Sequence, residues 1–316
     1  MHGNHTAYRL VTRSDFDGLV CAILLKELEI LDDIKFVHPK DVQDGKVEIT
    51  SRDITTNLPY DSRCYLAFDH HSSEMVRRGM EAPENQVLAP DAPSAARVVY
   101  EYYGGRPRFP QISQEILEAV DKGDAARFTR EEILDPQGWV LMNFLMDART
   151  GLGRFREFRI SNYQLMMQLI DFCRKHTIDE ILALPDVKER VELFFEHRQL
   201  AEGQIHRCSN VQGDVVVLDL RDEETIYACN RFLIYALYPE SKISIHVLWG
   251  LKKQNTALAV GKSIIDDSAQ VNIGRLCLEY GGGGHANAGT CQVDNDRADE
   301  VLQQLVDRIN QPAMVS

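Results

Sequence analysis

The order of strand-like and helix-like runs near the start of the chain is the feature that most restricts its fold. Residues 8–12 form a short β-rich run, residues 19–31 follow a helical pattern, and residues 34–37 form a second β-rich run. A strand, a helix and a strand in this order make up the smallest unit of a parallel sheet. The pattern therefore predicts an α/β protein.

The rest of the chain suggests a second α/β region behind a long helical stretch. Residues 139–183 are mostly helical in pattern, and a charged helix is predicted at 187–205. Strand-like runs then return at 215–218, 243–249 and 257–261. We predict a parallel-sheet N-terminal domain and a smaller α/β C-terminal domain joined by a connector helix, with these bounds: 1–185, 186–210 and 211–316.

Composition excludes several classes of protein. With 44% hydrophobic and 26% charged residues, the chain has enough apolar side chains for a core, so disorder is not expected. A net charge of −13 argues against binding long nucleic acid, which needs a basic face. A small anionic substrate remains compatible with this charge if metal ions or local arginines neutralise it. No apolar run is long enough to span a membrane.

Cysteine usage indicates a reducing compartment. The seven cysteines are far apart, their number is odd, and no Cys-x-x-Cys pair is present. This pattern predicts reduced thiols in a cytoplasmic protein and supports neither a zinc site nor a disulfide framework. Residues 1–5 show no signal-peptide pattern. The sequence leaves open whether the protein is a monomer or a homodimer.

Two polar motifs follow strand-like runs. Asp15 and Asp17 come just after the first run, and Asp69-His70-His71 comes directly after the run at 64–68. Ligands of open α/β sheets bind at the carboxyl ends of strands, and two acids separated by one residue can hold neighbouring metal ions. A simple helix cap by Asp17 and a surface histidine pair are the alternative interpretations.

A third motif, which contains Asp121 and Asp124, lies near the end of a predicted helix at 112–120. Alone it would indicate only a turn. Taken with the first two motifs, it completes a set of oxygen and imidazole ligands: Asp15, Asp17, His70 and Asp121. Such ligands suit Mn²⁺ or Mg²⁺ rather than structural zinc, and two such ions can clamp the oxygens of a phosphoester during hydrolysis.

Two further regions suggest contacts with an anion. Four glycines at 281–284 precede His285, which is more glycine than a helix end requires, and Lys262 follows a predicted strand. The stretch 149–159 contains four arginines, among them Arg154 and Arg156, interleaved with two phenylalanines. The alternatives are a flexible hairpin, a solvated turn and a surface loop whose arginines pair with acids.

The combination of these motifs resembles the DHH phosphoesterase family. The family is named for the triplet seen here as Asp69-His70-His71, and its relevant subgroup carries a DHH-associated C-terminal domain, marked here by 282–289. The resemblance covers nearly the whole chain, and the motifs in this order are specific together. It makes 1–185 the DHH catalytic domain and 211–316 the DHH-associated substrate-binding domain. The subgroup includes oligoribonucleotide phosphodiesterases (nanoRNases) and exopolyphosphatases.

The resemblance also implies roles for individual residues. Asp15 and Asp17 would each bind one of two ions, His70 would be a ligand, Asp121 would complete the second site, and His71 would face the phosphate while Asp69 orients the histidines. The far end of the substrate would meet a set of C-terminal residues: Lys262, Gly282, Gly283, Gly284 and His285. Arg13, Arg154 and Arg156 are the further candidate substrate contacts.

The chain departs from the family pattern in two places. Many members have a histidine just ahead of the first acid pair, whereas this chain has no histidine at 11–14. Many members also have a bridging aspartate between the first motif and the triplet. Asn57 stands where that acid belongs, and Asp53 is the only nearby alternative. A neutral Asn57 would be a weaker bridging metal ligand than a carboxylate.

These observations predict a metal-dependent phosphodiesterase that uses two divalent ions, Mn²⁺ in first place and Mg²⁺ as the alternative. We expect a short 5′-phosphorylated oligoribonucleotide as substrate, in particular a linear dinucleotide such as pGpG that is cleaved to mononucleotides. The enzyme alternatives are an exopolyphosphatase and a 3′-phosphoadenosine 5′-phosphate phosphatase. An inactive nucleotide-binding sensor is the alternative from another class.

Overall fold

The computed structural model of the chain describes residues 7–71 and 83–311, and the segment 1–5 considered above lies outside them. The strands are β1 (Tyr8–Arg13), β2 (Leu31–Val37), β3 (Asp53–Thr56), β4 (Leu66–Asp69), β5 (Gln86–Leu88), β6 (Ser209–Gln212), β7 (Val215–Asp219), β8 (Ile243–Trp249), β9 (Thr256–Lys262), β10 (Gly283–His285) and β11 (Ala288–Val293).

The α-helices follow in chain order as α1 (Phe16–Glu27), α2 (Pro39–Gln43), α3 (Ala95–Tyr102), α4 (Gln114–Asp124), α5 (Arg130–Leu134), α6 (Gly138–Met146), α7 (Asn162–Phe172), α8 (Ile178–Leu182), α9 (Pro185–Cys208), α10 (Leu233–Leu237), α11 (Ile273–Leu278) and α12 (Ala298–Asn310). Short 3₁₀ turns occur at Ala148–Thr150, Leu152–Arg154, Leu251–Lys253 and Asn295–Arg297.

The chain forms two compact units. The first comprises Met1–Arg127, Gln137–Ala148 and Leu152–Glu192, and the second comprises Phe128–Pro136, Arg149–Gly151 and Leu193–Ser316. Their main boundary lies inside helix α9, where the sequence predicts a connector. Pro185 is the first residue of this helix, a position that tolerates proline because the first turn needs no backbone N–H.

The first unit contains an all-parallel five-stranded sheet in the order β2-β1-β3-β4-β5. Strands β3 and β4 are buried along their whole length, as expected where helices cover a parallel sheet. Helix α1 is buried from Phe16 to Leu25 and packs on α3, α4 and α7. The predicted α/β class and parallel N-terminal sheet are confirmed.

One local boundary differs from the prediction, and one partly buried segment forms no strand. Residues 47–50 form no strand, although Val47 and Ile49 are buried, and β1 pairs with β2 and with β3, which starts at Asp53. Helix α1 begins three residues earlier than its apolar pattern, because the Asp15 side chain accepts a hydrogen bond from the Gly18 backbone N–H and caps it.

The second unit contains a mixed six-stranded sheet in the order β10-β11-β9-β8-β7-β6. Only the β7–β8 pair is parallel among the paired strands of this sheet. Alternate residues of β8, Ile243, Ile245 and Val247, enter a core that also includes Cys277 and Cys291. Strands β10 and β11 are not predicted by the sequence patterns, and a short helix, α10, lies between β7 and β8.

None of the helices in the described part of the chain combines the length and the apolar character needed to cross a membrane.

Candidate metal and phosphate site

The predicted ligands come from the carboxyl ends of neighbouring strands in the first unit. β1 ends at Arg13, β3 at Thr56 and β4 at Asp69, and these three strands lie side by side and parallel. The residues that follow them therefore meet at one edge of the sheet.

Asp17 lies at the buried centre of this edge. It is 2% exposed, and its carboxylate accepts hydrogen bonds from the backbone N–H groups of Ala95 (3.0 Å) and Ala96 (2.8 Å). These N–H groups belong to the first turn of α3, where backbone donors lack helical partners and the helix dipole favours a negative charge. Helix α3 thus fixes both carboxylate oxygens of Asp17.

His70 is oriented by the backbone and directed toward a second acid. Its Nδ1 lies 3.1 Å from the carbonyl oxygen of Ala92, which can only accept, so Nδ1 carries the hydrogen. In the neutral ring, Nε2 is then the atom with a free electron pair, as a metal ligand requires. Nε2 lies 2.8 Å from Oδ2 of Asp124 but makes no hydrogen bond to any described residue.

Electrostatics favour a cation at this point. Burial and the charges of Asp124 and Asp15 raise the pKa of Asp17 well above its usual value. Burial alone would lower the pKa of His70, but Asp124, Asp17 and the Ala92 carbonyl raise it to about 9. Acids placed this close together repel one another when ionised, and a bound cation removes that repulsion.

Geometry supports the same conclusion. One ligand atom from each of Asp17, His70 and Asp124 lies within 4.8 Å of the others. Two carboxylates and one imidazole are a donor set that suits Mn²⁺ or Mg²⁺. Asp17, His70 and Asp124 are therefore the candidate metal ligands that the structure brings together.

Asp121, which the sequence analysis assigns to the metal site, has different partners. Its Oδ1 accepts a hydrogen bond from the Ser94 hydroxyl at 2.7 Å, and its Oδ2 accepts one from Nε of Arg97 at 2.9 Å. The guanidinium of Arg97 neutralises its charge. Asp124, one helical turn further along α4, is the acid that faces His70.

Asp15 and Arg13 form an ion pair beside Asp17. Nε of Arg13 lies 2.8 Å from Oδ2 of Asp15, while Oδ1 of Asp15 caps helix α1. Gly18 is required here, because a Cβ at this position would lie 1.9 Å from the carbonyl oxygen of Arg13. The tight turn keeps Asp15 close enough to raise the pKa of Asp17.

Asn57 directly follows the last residue of β3. It is 2% exposed, has a φ of +55°, and neither polar atom of its side chain finds a hydrogen-bond partner among the described residues. Asp53 lies at the opposite end of β3 and is saturated by Arg9 and the Thr50 N–H. Asp53 is therefore excluded as the alternative bridge, and Asn57 is a buried polar group that lacks a partner among the described residues.

Asp69 fixes the histidine pair. The Oδ1 atom of this buried acid accepts hydrogen bonds from the backbone N–H groups of His70 (2.9 Å) and His71 (3.3 Å) and lies 2.7 Å from Nδ1 of His71. Because a carboxylate accepts, Nδ1 of His71 donates, and Nε2 points away from Asp69. The side chain of His71 is 38% exposed, so it is accessible to a ligand.

The C-terminal glycines 282–284 differ in whether a side chain would fit at their positions. A Cβ on Gly282 would lie 2.2 Å from the Thr290 carbonyl oxygen, and one on Gly284 would lie 2.2 Å from that of Ala288, so both are required for pairing with β11. A Cβ on Gly283 would meet nothing within 4 Å, and His285 is exposed. Of these three glycines, Gly283 is the one with open space beside it.

The other predicted phosphate contacts lie in two different environments. Lys262 ends β9 in the second unit, and its backbone N–H donates to the Asn287 carbonyl at 2.9 Å. In the arginine-rich stretch, Arg159 pairs with Asp186, and Nη1 of Arg156 lies 3.4 Å from the Glu189 carbonyl oxygen. Arg154 stacks near Phe155. Part of this basic stretch is therefore tied to α9 within the first unit.

Sequence reasoning missed Asp124, Ser94, Arg97 and the backbone of α3. Asp124 was visible as part of the third motif, but nothing in the local pattern separates it from Asp121. The signal for Ser94 was the helix cap: Ser94 accepts from the Arg97 N–H, which marks the start of α3.

Comparison with solved structures finds a match along the whole chain. The chain is 61% identical to a pGpG-specific phosphodiesterase, PggH from Vibrio cholerae, over 96% of this chain and 99% of that one, with a TM-score of 0.85. No model of a known protein family matches the chain, and no curated protein sequence matches it.

Two remote matches show a shared fold. The DHH domain of a member of a family of ribosomal proteins is 12% identical, with a TM-score of 0.55 over 96% of this chain and 87% of that one. RecJ from Thermus thermophilus, solved with Mn²⁺, is 15% identical, with a TM-score of 0.52 over 96% of this chain and 52% of that one. At these identities the likeness concerns the fold alone.

Proposed function

Since the chain belongs to the DHH phosphoesterase family, we propose that it is a metal-dependent phosphodiesterase that hydrolyses the linear dinucleotide pGpG to mononucleotides. The observation that carries the proposal is the 61% identity, along nearly the whole of both chains, with a pGpG-specific phosphodiesterase. The cluster of Asp17, His70 and Asp124 independently supports phosphoester chemistry at this edge of the sheet.

Asp17, His70 and Asp124 would hold a divalent ion, Mn²⁺ or Mg²⁺. When bound, such an ion lowers the pKa of the attacking water and neutralises charge on the phosphoryl oxygens. The residues fit this ion because burial and the neighbouring acids raise the pKa of Asp17, and because Nε2 of His70 has no hydrogen bond to a described residue.

A second ion would use Asp15, with the side chain of Asn57 between the two positions. Support comes from Asn57, whose buried amide has no partner among the described residues. Asp15 now pairs with Arg13, so this pair would separate for Asp15 to act as a ligand. Arg13 would then be available to the substrate phosphate, which agrees with its predicted substrate contact.

His71 would bind the phosphoryl oxygens and stabilise their developing charge. Asp69 supports this role because it holds Nδ1 of His71 and leaves Nε2 to point elsewhere. Hydrogen bonds in which one partner is ionised are shorter and stronger than neutral ones. Asp69 itself would orient both histidines and would not touch the substrate.

Gly283, His285 and Lys262 of the second unit, and Arg154 and Arg156 of the first, are the further nucleotide contacts of this proposal. Gly283 is supported by the open space beside it, which allows backbone to approach a phosphate. Gly282 and Gly284 serve strand pairing in this scheme. We also propose a cytoplasmic location, because all seven cysteines are free thiols, as a reducing compartment favours.

The test is a substrate panel with purified protein. Hydrolysis of pGpG, pApA, longer RNA, 3′-phosphoadenosine 5′-phosphate and polyphosphate would be compared with Mn²⁺, with Mg²⁺ and with a chelator. The expected result is metal-dependent conversion of pGpG to GMP at a higher kcat/KM than for any other substrate. A preference for polyphosphate, or binding of pGpG with no hydrolysis under any metal condition, would overturn the proposal.

A further inference from the structure

A short backbone segment, 92–96, holds two of the candidate metal ligands at once. The carbonyl oxygen of Ala92 lies 3.1 Å from Nδ1 of His70, and the N–H groups of Ala95 and Ala96 donate to the two oxygens of Asp17. The positions of Asp17 and His70 therefore depend on the position of this segment, which contributes only backbone atoms to them.

Asp121 anchors that segment from helix α4. Its Oδ1 accepts from the Ser94 hydroxyl at 2.7 Å, and its Oδ2 accepts from Nε of Arg97 at 2.9 Å. The Ser94 hydroxyl oxygen in turn accepts from the Arg97 backbone N–H at 3.0 Å, which caps α3. Ser94 is fully buried, and hydrogen bonds to a charged acid are stronger than neutral ones.

We propose that Asp121 is a positioning residue for the metal site, acting through Ser94 and Arg97 on the 92–96 segment. Asp121 holds the start of α3, the α3 N–H groups hold Asp17, and the preceding carbonyl holds His70. This inference rests on the proposed function, since it assumes that Asp17 and His70 bind a divalent ion. The inference gives different roles to the two acids at the end of α4. Asp124 would face the ion, whereas Asp121 would act on the ligands through Ser94, Arg97 and the 92–96 segment.

The contacts of Asp121 explain why it does not act as a ligand. Both of its oxygens are already engaged, and the Arg97 guanidinium supplies the positive charge that an ion would otherwise supply. Residues that orient metal ligands without touching the ion typically change metal affinity about 10- to 100-fold when replaced. A direct ligand should have a larger effect.

The decisive measurement is a Mn²⁺ titration of the metal-free protein, without substrate. Asp121→Asn should weaken binding about 10- to 100-fold, while Asp124→Asn should abolish saturable binding. Glu118→Gln is the matched control, because Glu118 is an exposed acid on the same helix, and it should bind Mn²⁺ as the wild type does.

Two experiments test whether Asp121 affects Mn²⁺ binding through Ser94: a double-mutant cycle, and the recovery of kcat at saturating Mn²⁺. Ser94→Ala combined with Asp121→Asn should weaken binding no more than the stronger single change, because both break one chain of contacts. Saturating Mn²⁺ should restore kcat toward the wild-type value in Asp121→Asn. A generally damaged fold would not be restored in this way.

Two results would overturn the inference. Wild-type Mn²⁺ affinity in both Asp121→Asn and Ser94→Ala would show that the contacts do not serve the site. Loss of binding in Asp121→Asn as complete as in Asp124→Asn would make Asp121 a ligand. If Asp121→Asn fails to fold, Ser94→Ala is the deciding variant: weakened Mn²⁺ binding supports the inference, and wild-type affinity overturns it. A wild-type protein that binds Mn²⁺ but leaves pGpG intact would refute only the proposed substrate.

Discussion

Nε2 of His70 and Oδ2 of Asp124 lie 2.8 Å apart without forming a hydrogen bond. The two residues come from different elements, one after the end of β4 and the other at the end of α4. A cation bound between the two residues would have a ligand atom from each of them. The relationship makes Asp124 the residue on which the assignment of the metal site depends most directly.

Replacement of Asp124 by Asn should lower kcat/KM for pGpG by more than about 100-fold, a larger effect than an outer partner typically has. The fold should remain intact. The melting temperature without metal should change little, because the substitution relieves repulsion with Asp17 but also removes the acid that raises the pKa of His70. Steady-state kinetics and thermal unfolding in a chelator measure the two effects. Near-normal turnover would show that the ion is held elsewhere.

Asn57→Asp should tighten Mn²⁺ binding about tenfold or more, since it adds a negative charge where a buried amide now lacks a partner among the described residues. Without metal the same change should lower the melting temperature, because another acid joins the mutually repelling group. Aspartate tolerates the φ of +55° about as well as asparagine, so backbone strain should not obscure the comparison. An unchanged Mn²⁺ titration would place Asn57 outside the metal site.

Gly283→Val should raise KM for pGpG while leaving thermal stability nearly unchanged, because space is open beside Gly283. Hydrolysis of a small ester such as bis(p-nitrophenyl) phosphate, which reaches only the metal ligands, should hardly respond. Gly282→Ala is the contrasting variant. Its Cβ would lie 2.2 Å from a backbone oxygen, so we expect about 1–3 kcal/mol of destabilisation. Equal losses on both substrates for Gly283→Val would mean that Gly283 serves the fold.

His246 should make the protein less stable in mild acid. Burial lowers its pKa to about 4, whereas a histidine in the unfolded chain titrates near 6.5. The unfolded chain then binds the proton more readily, so stability is lost as pH falls from about 6.5 to 4. His246→Leu should reduce this loss relative to the wild type in urea unfolding at pH 7, 6, 5 and 4. Parallel pH profiles for the two proteins would contradict the assignment.

The α/β class and the parallel N-terminal sheet could be predicted from the sequence, and so could the tendency of the polar motifs to follow its strands. Asp15, Asp17 and the Asp69 triplet follow apolar runs, and parallel strands bring such residues to one edge. Membership of the DHH family was predicted from these motifs and is confirmed. Strands β10 and β11 were not predicted, because glycine-rich residues carry no alternating apolar pattern and acquire their structure from pairing.

The choice between Asp121 and Asp124 could not be predicted from local sequence. Both acids lie at one helix end, and the partner that neutralises Asp121 is Arg97, which comes from another helix. The difference in hydrogen bonding between Asp53, which is paired, and Asn57, which lacks a partner among the described residues, also depends on another element. They lie at the two ends of β3, and the side chain of Arg9, from the neighbouring strand, determines which of the two is already satisfied.

The burial of helix α1 determines how readily Asp17 can move away from the metal site. Its residues from Phe16 to Leu25 are all buried, so this part of the helix has no solvent-facing side along which it could fray. Amide protons in such a helix should exchange with solvent only when the surrounding unit unfolds as a whole. Asp17 lies in the first turn of α1. Displacing it from the site would therefore cost the full free energy of unfolding of that cooperative unit, and slow amide exchange at Val20 and Leu24 would show this cost.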